Sequence, residues 1–398
     1  MTLTLWNNWS GQDAKAVAMR KILDDFKAAH PEVDLQVEAL ATDGLKTRLR
    51  TAAAADEMPD LFVMWPGAMT REFVNGDLLQ PIDEFLDSKP NNFIPNALDD
   101  FTVDGKVYSV PMNLAPSSLV YYNQAIFDQY GVKVPTTWDE LLAAIDTFNQ
   151  NGVIPIALGN KANWVAQSTT FSTIADRVTG TDWFLKAVAQ DGAQFTDPEF
   201  IDALKKMQEL GTAKAYQDGF NSIDENQMIQ LYTQEKAAMF INGGWAVASL
   251  VNTASEEVLN NTNITILPPV EGGKGEPQTT AGVVGTGLGV SKKVDGAKKE
   301  AAMELLYALA GPDGQKATLD SSTLVSYNIE LDESKANPLF VKLSNLMKDV
   351  KIVPVYDSKL SSAAVEAVNN GLQELLMGGN PEDIAKKIQS AQAGAVGS

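Results

Sequence analysis

The sequence predicts an α/β protein of two domains, and three observations carry that reading. Short apolar strands alternate with amphipathic helices from the first residues onward. Some strands are continuous apolar runs, suited to a parallel sheet covered on both faces. The length of 398 residues exceeds what one hydrophobic core supports. Leu3 and Leu5 begin the first strand, and Met19, Ile22, Leu23 and Phe26 follow at helical spacing until Pro31 ends the helix. Val33, Leu35 and Val37 alternate with Asp34, Gln36 and Glu38 in a second strand. A helix around Leu45 to Ala54 leads to Pro59-Asp60 and the apolar run Leu61 to Met64, which completes a βαβαβ series.

The middle and end of the chain are richer in helices. Thr137-Trp138-Asp139-Glu140 reads as a capping box, with Leu141, Leu142, Ile145 and Phe148 behind it and Trp138 on the core face. Asp197-Pro198 opens a helix that turns Ile201, Leu204 and Met207 inward. Val365, Val368, Leu372 and Leu375 form another helical face, Gly378-Gly379 stop it, and Asn380-Pro381 starts a last short helix. Pro268 to Thr280, rich in glycine, proline and polar residues, reads as a loose surface connection.

Composition excludes several kinds of chemistry. The net charge of −20 repels nucleic acid, and no apolar run approaches the roughly 20 residues of a membrane helix. With no cysteine there are no disulfides, thiolate metal sites or thiol nucleophiles. His30, the single histidine, stands before Pro31 at a helix end, which suits capping; no Ser-His-Asp triad and no multi-histidine zinc site is available. Gly285-Thr286-Gly287-Leu288-Gly289 starts like a dinucleotide fingerprint, but Val290 occupies the place of the third glycine. Gly273-Lys274 precedes Gly275 where a phosphate loop needs Ser or Thr. They read as a glycine-rich strand and a loop. No catalytic residue, metal or cofactor is expected. Asp24-Asp25, Asp99-Asp100 and Glu256-Glu257 read as solvated charge, and the separation a glycosidase pair needs is not legible in sequence.

What remains is a set of aromatic and planar polar residues at strand ends. Trp6-Asn7-Asn8-Trp9 follows the first strand, Met64-Trp65-Pro66-Gly67 the third, Asn160 to Trp164 the strand Ile154 to Leu158, and Trp245 the run ending in Asn242-Gly243-Gly244. Ligands of open α/β sheets bind beyond the carboxyl ends of strands. Flat apolar rings suit the C–H faces of a sugar, and amides both donate to and accept from its hydroxyls.

The chain resembles the extracellular sugar-binding proteins of bacterial ABC importers, the family 1 solute-binding proteins that include maltose-binding protein. The likeness covers nearly the whole chain. It runs through Leu5 to Trp9, Pro59 to Met64, Leu79 to Ile82, Asp104 to Pro111, Leu119 to Asn123, Pro135 to Leu141 and Phe240 to Trp245. It implies a type II, periplasmic-binding-protein-like fold of two lobes, each a sheet flanked by helices, with a hinged cleft between them. The lobes would be 1–112 plus 283–327 and 113–282 plus 328–398, with crossings near Met112, Gly282 and Tyr327. The implied function is capture of a short oligosaccharide in the cleft and delivery to ABC permease subunits, by a monomer, without bond making or breaking.

Carried over position by position, the resemblance places ligand contacts at Asn8, Trp9, Met64, Trp65, Gly67 and Asn113. It continues with Asn163, Trp164, Trp245, Gly282, Gly285, Tyr356 and Asp357. It also implies residence at the extracellular face, lipid-anchored, or in the periplasm. The chain begins in strand pattern at Met1, so either the protein is cytosolic or, as the resemblance implies, an export signal has been removed; Gly397-Ser398 is compatible with a cloning remnant and equally with a native ending. Two rivals stay open: a glycoside-active enzyme on a similar groove, and a binder of the same architecture for a cationic solute such as a polyamine.

Overall fold

The computed structural model describes residues 1–396, so Gly397-Ser398 lies outside the described residues. The chain divides into two compact units, each assembled from separate stretches: Met1–Ala115 with Val284–Asn337, and Pro116–Val283 with Pro338–Ser398.

The first unit is built on a four-stranded sheet in the order Gly287–Val290, Leu61–Met64, Thr2–Asn7, Asp34–Ala39. The three N-terminal strands are parallel, with Leu3 opposite Leu35 and Leu5 opposite both Val37 and Leu61. The alternation of apolar residues predicts this register, because each one-residue slip would turn the apolar set to solvent. Gly287–Val290 closes the edge antiparallel to Leu61–Met64, with Gly287 opposite Met64. Helix Ala14–Ala29, capped at its start by the Asp13 side chain, buries Met19, Leu23 and Phe26 in the same core as Leu3, Leu5, Leu305 and Leu306. His30 ends that helix, stacked on Phe26 at 4.3 Å, as a residue of its C-terminal cap.

The second unit carries a mixed sheet in the order Thr262–Ile266, Leu119–Asn123, Ala237–Asn242, Ile154–Ala157. The first three strands are antiparallel neighbours, and Ile154–Ala157 is parallel to Ala237–Asn242. Every residue of Ala237–Asn242 is buried, as expected of an apolar strand with neighbours on both edges. Phe148, Phe200, Leu204, Leu372 and Ile388, from four helices, share one core beneath it.

Two local expectations meet a different outcome. Thr137 caps helix Trp138–Gln150 by accepting from the Glu140 N–H at 3.2 Å, but the Glu140 carboxylate reaches past it to the Thr136 N–H at 2.7 Å. The reciprocal bond of a capping box is therefore made one residue early, and its backbone donor is the main cause that lowers the Glu140 carboxyl pKa. A complete box forms instead at Asp224 and Gln227. Residues 268–280 are not loose: the buried Arg177 guanidinium donates to the carbonyls of Leu267 at 3.2 Å, Glu276 at 2.6 Å and Thr279 at 2.7 Å. Lys274 and Gly275 N–H groups return bonds to the carbonyls of Val178 and Arg177, both at 3.1 Å. Desolvation pushes the guanidinium down to about 10, yet so many carbonyl partners keep it in place.

The divisions also fall elsewhere than the sequence reading puts them, by one to three residues at the first two crossings and by ten at the last. Residues 328–337 stay with the first unit because the Asn328 N–H donates to the Asn92 carbonyl at 2.9 Å and the Asn92 amide reaches back to the Asn328 carbonyl at 3.3 Å. No helix among the described residues is long and apolar enough to cross a membrane.

Candidate functional site

In the first unit the expected residues gather beyond the carboxyl ends of the parallel strands. Asn7, the last residue of its strand, uses its side-chain oxygen to accept from the Trp9 N–H at 2.9 Å, which folds the chain back sharply. Asn8 is half-buried and donates to Thr42 Oγ1 at 3.4 Å. Trp9 is only 3 % exposed and belongs to the core, its carbonyl accepting from Arg20 at 2.6 Å. Asn7 Nδ2, Asn8 Oδ1 and Trp9 Nε1 are buried without a hydrogen-bond partner among the described residues. Three such atoms in three consecutive residues are unusual, since buried polar groups are nearly always paired.

Trp65 is half-buried with the Lys46 ammonium 4.6 Å above its ring, a cation–π contact. Met64 is fully buried opposite Gly287, and Gly67, at φ 79°, turns the chain into helix Ala68–Asn75 while donating to the Asp100 carbonyl at 2.7 Å. Asn113 accepts through Oδ1 from the Lys15 ammonium at 2.9 Å and from Thr286 Oγ1 at 3.3 Å. Gly285 sits at φ +87°, and a Cβ there would stand 2.3 Å from the Asn113 carbonyl, so glycine alone fits this approach. Lys15 lies in the first turn of helix Ala14–Ala29, where the helix dipole disfavours a cation. Its enclosed ammonium is pushed down to about 8 by desolvation, against the opposing pull of Asp13.

In the second unit the strand Ala237–Asn242 delivers the turn Asn242-Gly243-Gly244 and then Trp245, which is half-buried at the start of helix Ala246–Thr253. The indole ring folds back over Gly243: a Cβ there would stand 2.0 Å from the ring. Trp245 Nε1 donates to Glu225 Oε1 at 3.2 Å, and Asn242 Nδ2 donates to the same oxygen at 3.1 Å. Trp164 meets Trp245 with centroids 6.4 Å apart and planes tilted by 54°, so the two rings form a corner. Asn163, beside it, donates to Asn370 Oδ1 at 2.9 Å. Gly282 is a buried strand residue opposite Pro354. Asp357 is half-buried in the first turn of the short helix Tyr356–Lys359.

Tyr356 is placed differently from the expectation of a ligand contact. It is 1 % exposed, stacks on Phe184 at 3.9 Å and meets Phe171 edge-on at 5.5 Å; burial raises its phenol well above the ordinary range. Trp9 and Met64 are likewise core side chains, because the packing of each unit draws in the largest apolar groups beside the strand ends. Conversely Lys15, Lys46, Glu225 and Asn242 hold the expected residues in place and stand outside the sequence-derived set. Asn242 is signalled by its position before the glycine pair, whereas the link from Glu225 spans twenty residues with no local pattern.

An open sheet bearing aromatic and amide side chains beyond its strand ends defines a small-molecule binding protein of the α/β class. Residues 8–316 match the bacterial extracellular solute-binding proteins, and the chain belongs to that family. A solved structure from work on xylan utilization by the thermophilic bacterium Caldanaerobius polysaccharolyticus is 31% identical, with a TM-score of 0.89 over 98% of this chain and 99% of its own. A chitin oligosaccharide binding protein is 26% identical, also with a TM-score of 0.89, over 99% of both chains. The multiple sugar-binding protein of Streptococcus mutans is 23% identical over 256 residues, which is 63% of this chain. The match spans only 59% of that relative's length, and 57% and 56% of two ABC transporter extracellular-binding proteins of Pyrococcus horikoshii.

Proposed function

We propose that this protein is the sugar-capturing component of an ABC importer, which binds a short oligosaccharide and hands it to membrane permease subunits. The observation that carries the reading is the aromatic corner of Trp245 and Trp164, whose partly exposed rings suit the apolar faces of pyranose units. Family membership and the saccharide ligands named for the relatives support it. The contact set is Asn8, Trp65, Gly67 and Asn113 with Gly285 from the first unit, and Asn163, Trp164, Trp245, Gly282 and Asp357 from the second. Trp9, Met64 and Tyr356 are left out because their side chains are spent on packing. The protein works as a monomer on the outer face of the membrane, lipid-anchored, or in the periplasm.

A cationic solute is disfavoured by Lys15 and Lys46, two ammonium groups at the strand ends of the first unit. Titration calorimetry with mono-, di-, tri- and tetrasaccharides, xylo- and chito-oligosaccharides among them, tests the proposal. Tightest binding is expected for two to four units, with the saccharide recovered intact. Tight binding of a monosaccharide or a polyamine alone, or cleavage of the saccharide, overturns it.

A further inference from the structure

We propose that Glu225 is a positioning residue that holds the Trp245 ring in its saccharide-facing orientation, acting as a hydrogen-bond acceptor and not through its charge. The inference rests on the reading of Trp245 as a sugar platform. A tryptophan that follows two glycines has no side-chain neighbours in its own turn to restrict it, so its χ angles must be set from outside. Here the turn itself is fixed at three of its backbone polar groups. The Gly243 N–H donates to Asn242 Oδ1 at 2.8 Å, the Gly243 carbonyl accepts from Tyr121 at 2.8 Å, and the Gly244 N–H donates to the Pro116 carbonyl at 2.8 Å. What these bonds leave undetermined is the rotation of the indole. The bond from Nε1 to Glu225 Oε1 supplies that constraint, and Asn242 Nδ2 binds the same oxygen from the turn side.

Glu225 is itself well placed to serve as a fixed point. It is the first residue of helix Glu225–Thr233, whose start is held by the complete capping box of Asp224 and Gln227, and a carboxylate is stabilised at a helix N-terminus. One oxygen thus ties together the helix, the turn and the ring. Trp164 bounds the ring on another side, so a saccharide approaches a platform whose tilt is set before it arrives. Preorganisation of this kind raises affinity by removing the ordering cost from the binding step.

The chemistry separates the acceptor from the charge. Glu225→Gln keeps an Oε1 acceptor and removes the charge, whereas Glu225→Leu removes both. The affinity of the tightest oligosaccharide is expected to stay within about threefold of the parent in Glu225→Gln and to fall about tenfold in Glu225→Leu, the scale of one hydrogen bond. In a Trp245→Phe background, which has no indole N–H, Glu225→Leu is expected to add little further loss. The Trp245 indole N–H resonance, assigned by its loss in Trp245→Phe, reports the bond directly: it should move in Glu225→Leu and remain near the parent position in Glu225→Gln. A merely structural role would lower the melting temperature without this pattern. Parent-like affinity in Glu225→Leu, or an equal loss with Phe at position 245, overturns the inference even if sugar binding stands. If Glu225→Leu does not fold, Glu225→Asp, shorter by one methylene, takes its place with the same expected direction. Parent-like affinity in Trp245→Ala would instead overturn the platform reading on which the inference rests.

Discussion

The strand end Asn7–Trp9 of the first unit and the turn Asn242–Trp245 of the second solve the same local problem in opposite ways. Both follow a sheet strand, and both put an asparagine just before a tryptophan-bearing turn. In the second unit the turn's polar groups are satisfied within the protein, by Tyr121, Pro116, Glu225 and Asn242 itself, and a partly exposed ring remains. In the first unit the tryptophan is buried, and Asn7 Nδ2, Asn8 Oδ1 and Trp9 Nε1 lack partners among the described residues. An unpaired buried group costs about 1–3 kcal/mol. On the proposed function, the contrast gives shape recognition to the second unit and hydroxyl recognition to the first.

The largest effect expected from this division is on the ring. Trp245→Ala should weaken oligosaccharide binding by about 2 kcal/mol or more in calorimetry, with far-UV circular dichroism unchanged. An affinity equal to the parent's would remove the division at its stronger side. A smaller loss, about 1 kcal/mol, is expected for Asn8→Ala, because a neutral hydrogen bond contributes on that scale. Its melting temperature should move little, since Asn8 Oδ1 makes no bond among the described residues and the Nδ2 bond to Thr42 Oγ1 that the change removes is long, at 3.4 Å. If instead stability falls while affinity holds, Asn8 is structural and the first unit's role is lost.

The smallest effect concerns Lys15. Its pKa is lowered to about 8 from 10.5, so between those values the unfolded chain binds more protons than the native one and stability rises with pH. Below pH 8 the ammonium is charged in both states and its desolvation opposes folding in full; above about pH 10.5 that opposition is gone. Chemical denaturation from pH 7 to 11 should therefore show a rise in the parent that is missing in Lys15→Met. Partial exposure of the side chain and solvent screening keep the difference modest. A parallel pH course in the two proteins would mean that the ammonium is freely solvated.

Much of the scaffold was legible because its signals are local. Apolar alternation at Leu3 to Leu5 and Val33 to Val37, and the run Leu61 to Met64, announce strands that pair as expected. The glycine pair before Trp245 announces the turn. What could not be read is which side of a turn the packing consumes. Trp9 and Trp245 occupy similar sequence settings, yet one fills a core and the other stays at its margin, because the neighbours that decide this come from distant helices. Glu225 escaped for the same reason. The stretch from Pro268 to Thr280 has the composition of a loose loop, but three hydrogen bonds from Arg177, far earlier in the chain, overrule composition. Glu140 shows the limit of motif reading at finer scale: residue types match a capping box, and the carboxylate still selects the donor one position away.

The pairing of Gly287–Val290 with Leu61–Met64 has a consequence for how the chain acquires its structure. When the first three strands have left the ribosome, Leu61–Met64 is the outer strand of an incomplete sheet, fully apolar and short of a neighbour. Its partner is made more than two hundred residues later. Until then that edge is a template for any extended segment, including the same segment of another nascent chain. Contacts of such long sequence separation slow folding, so the first unit's sheet should close only after residues 116–283 of the second unit have been made.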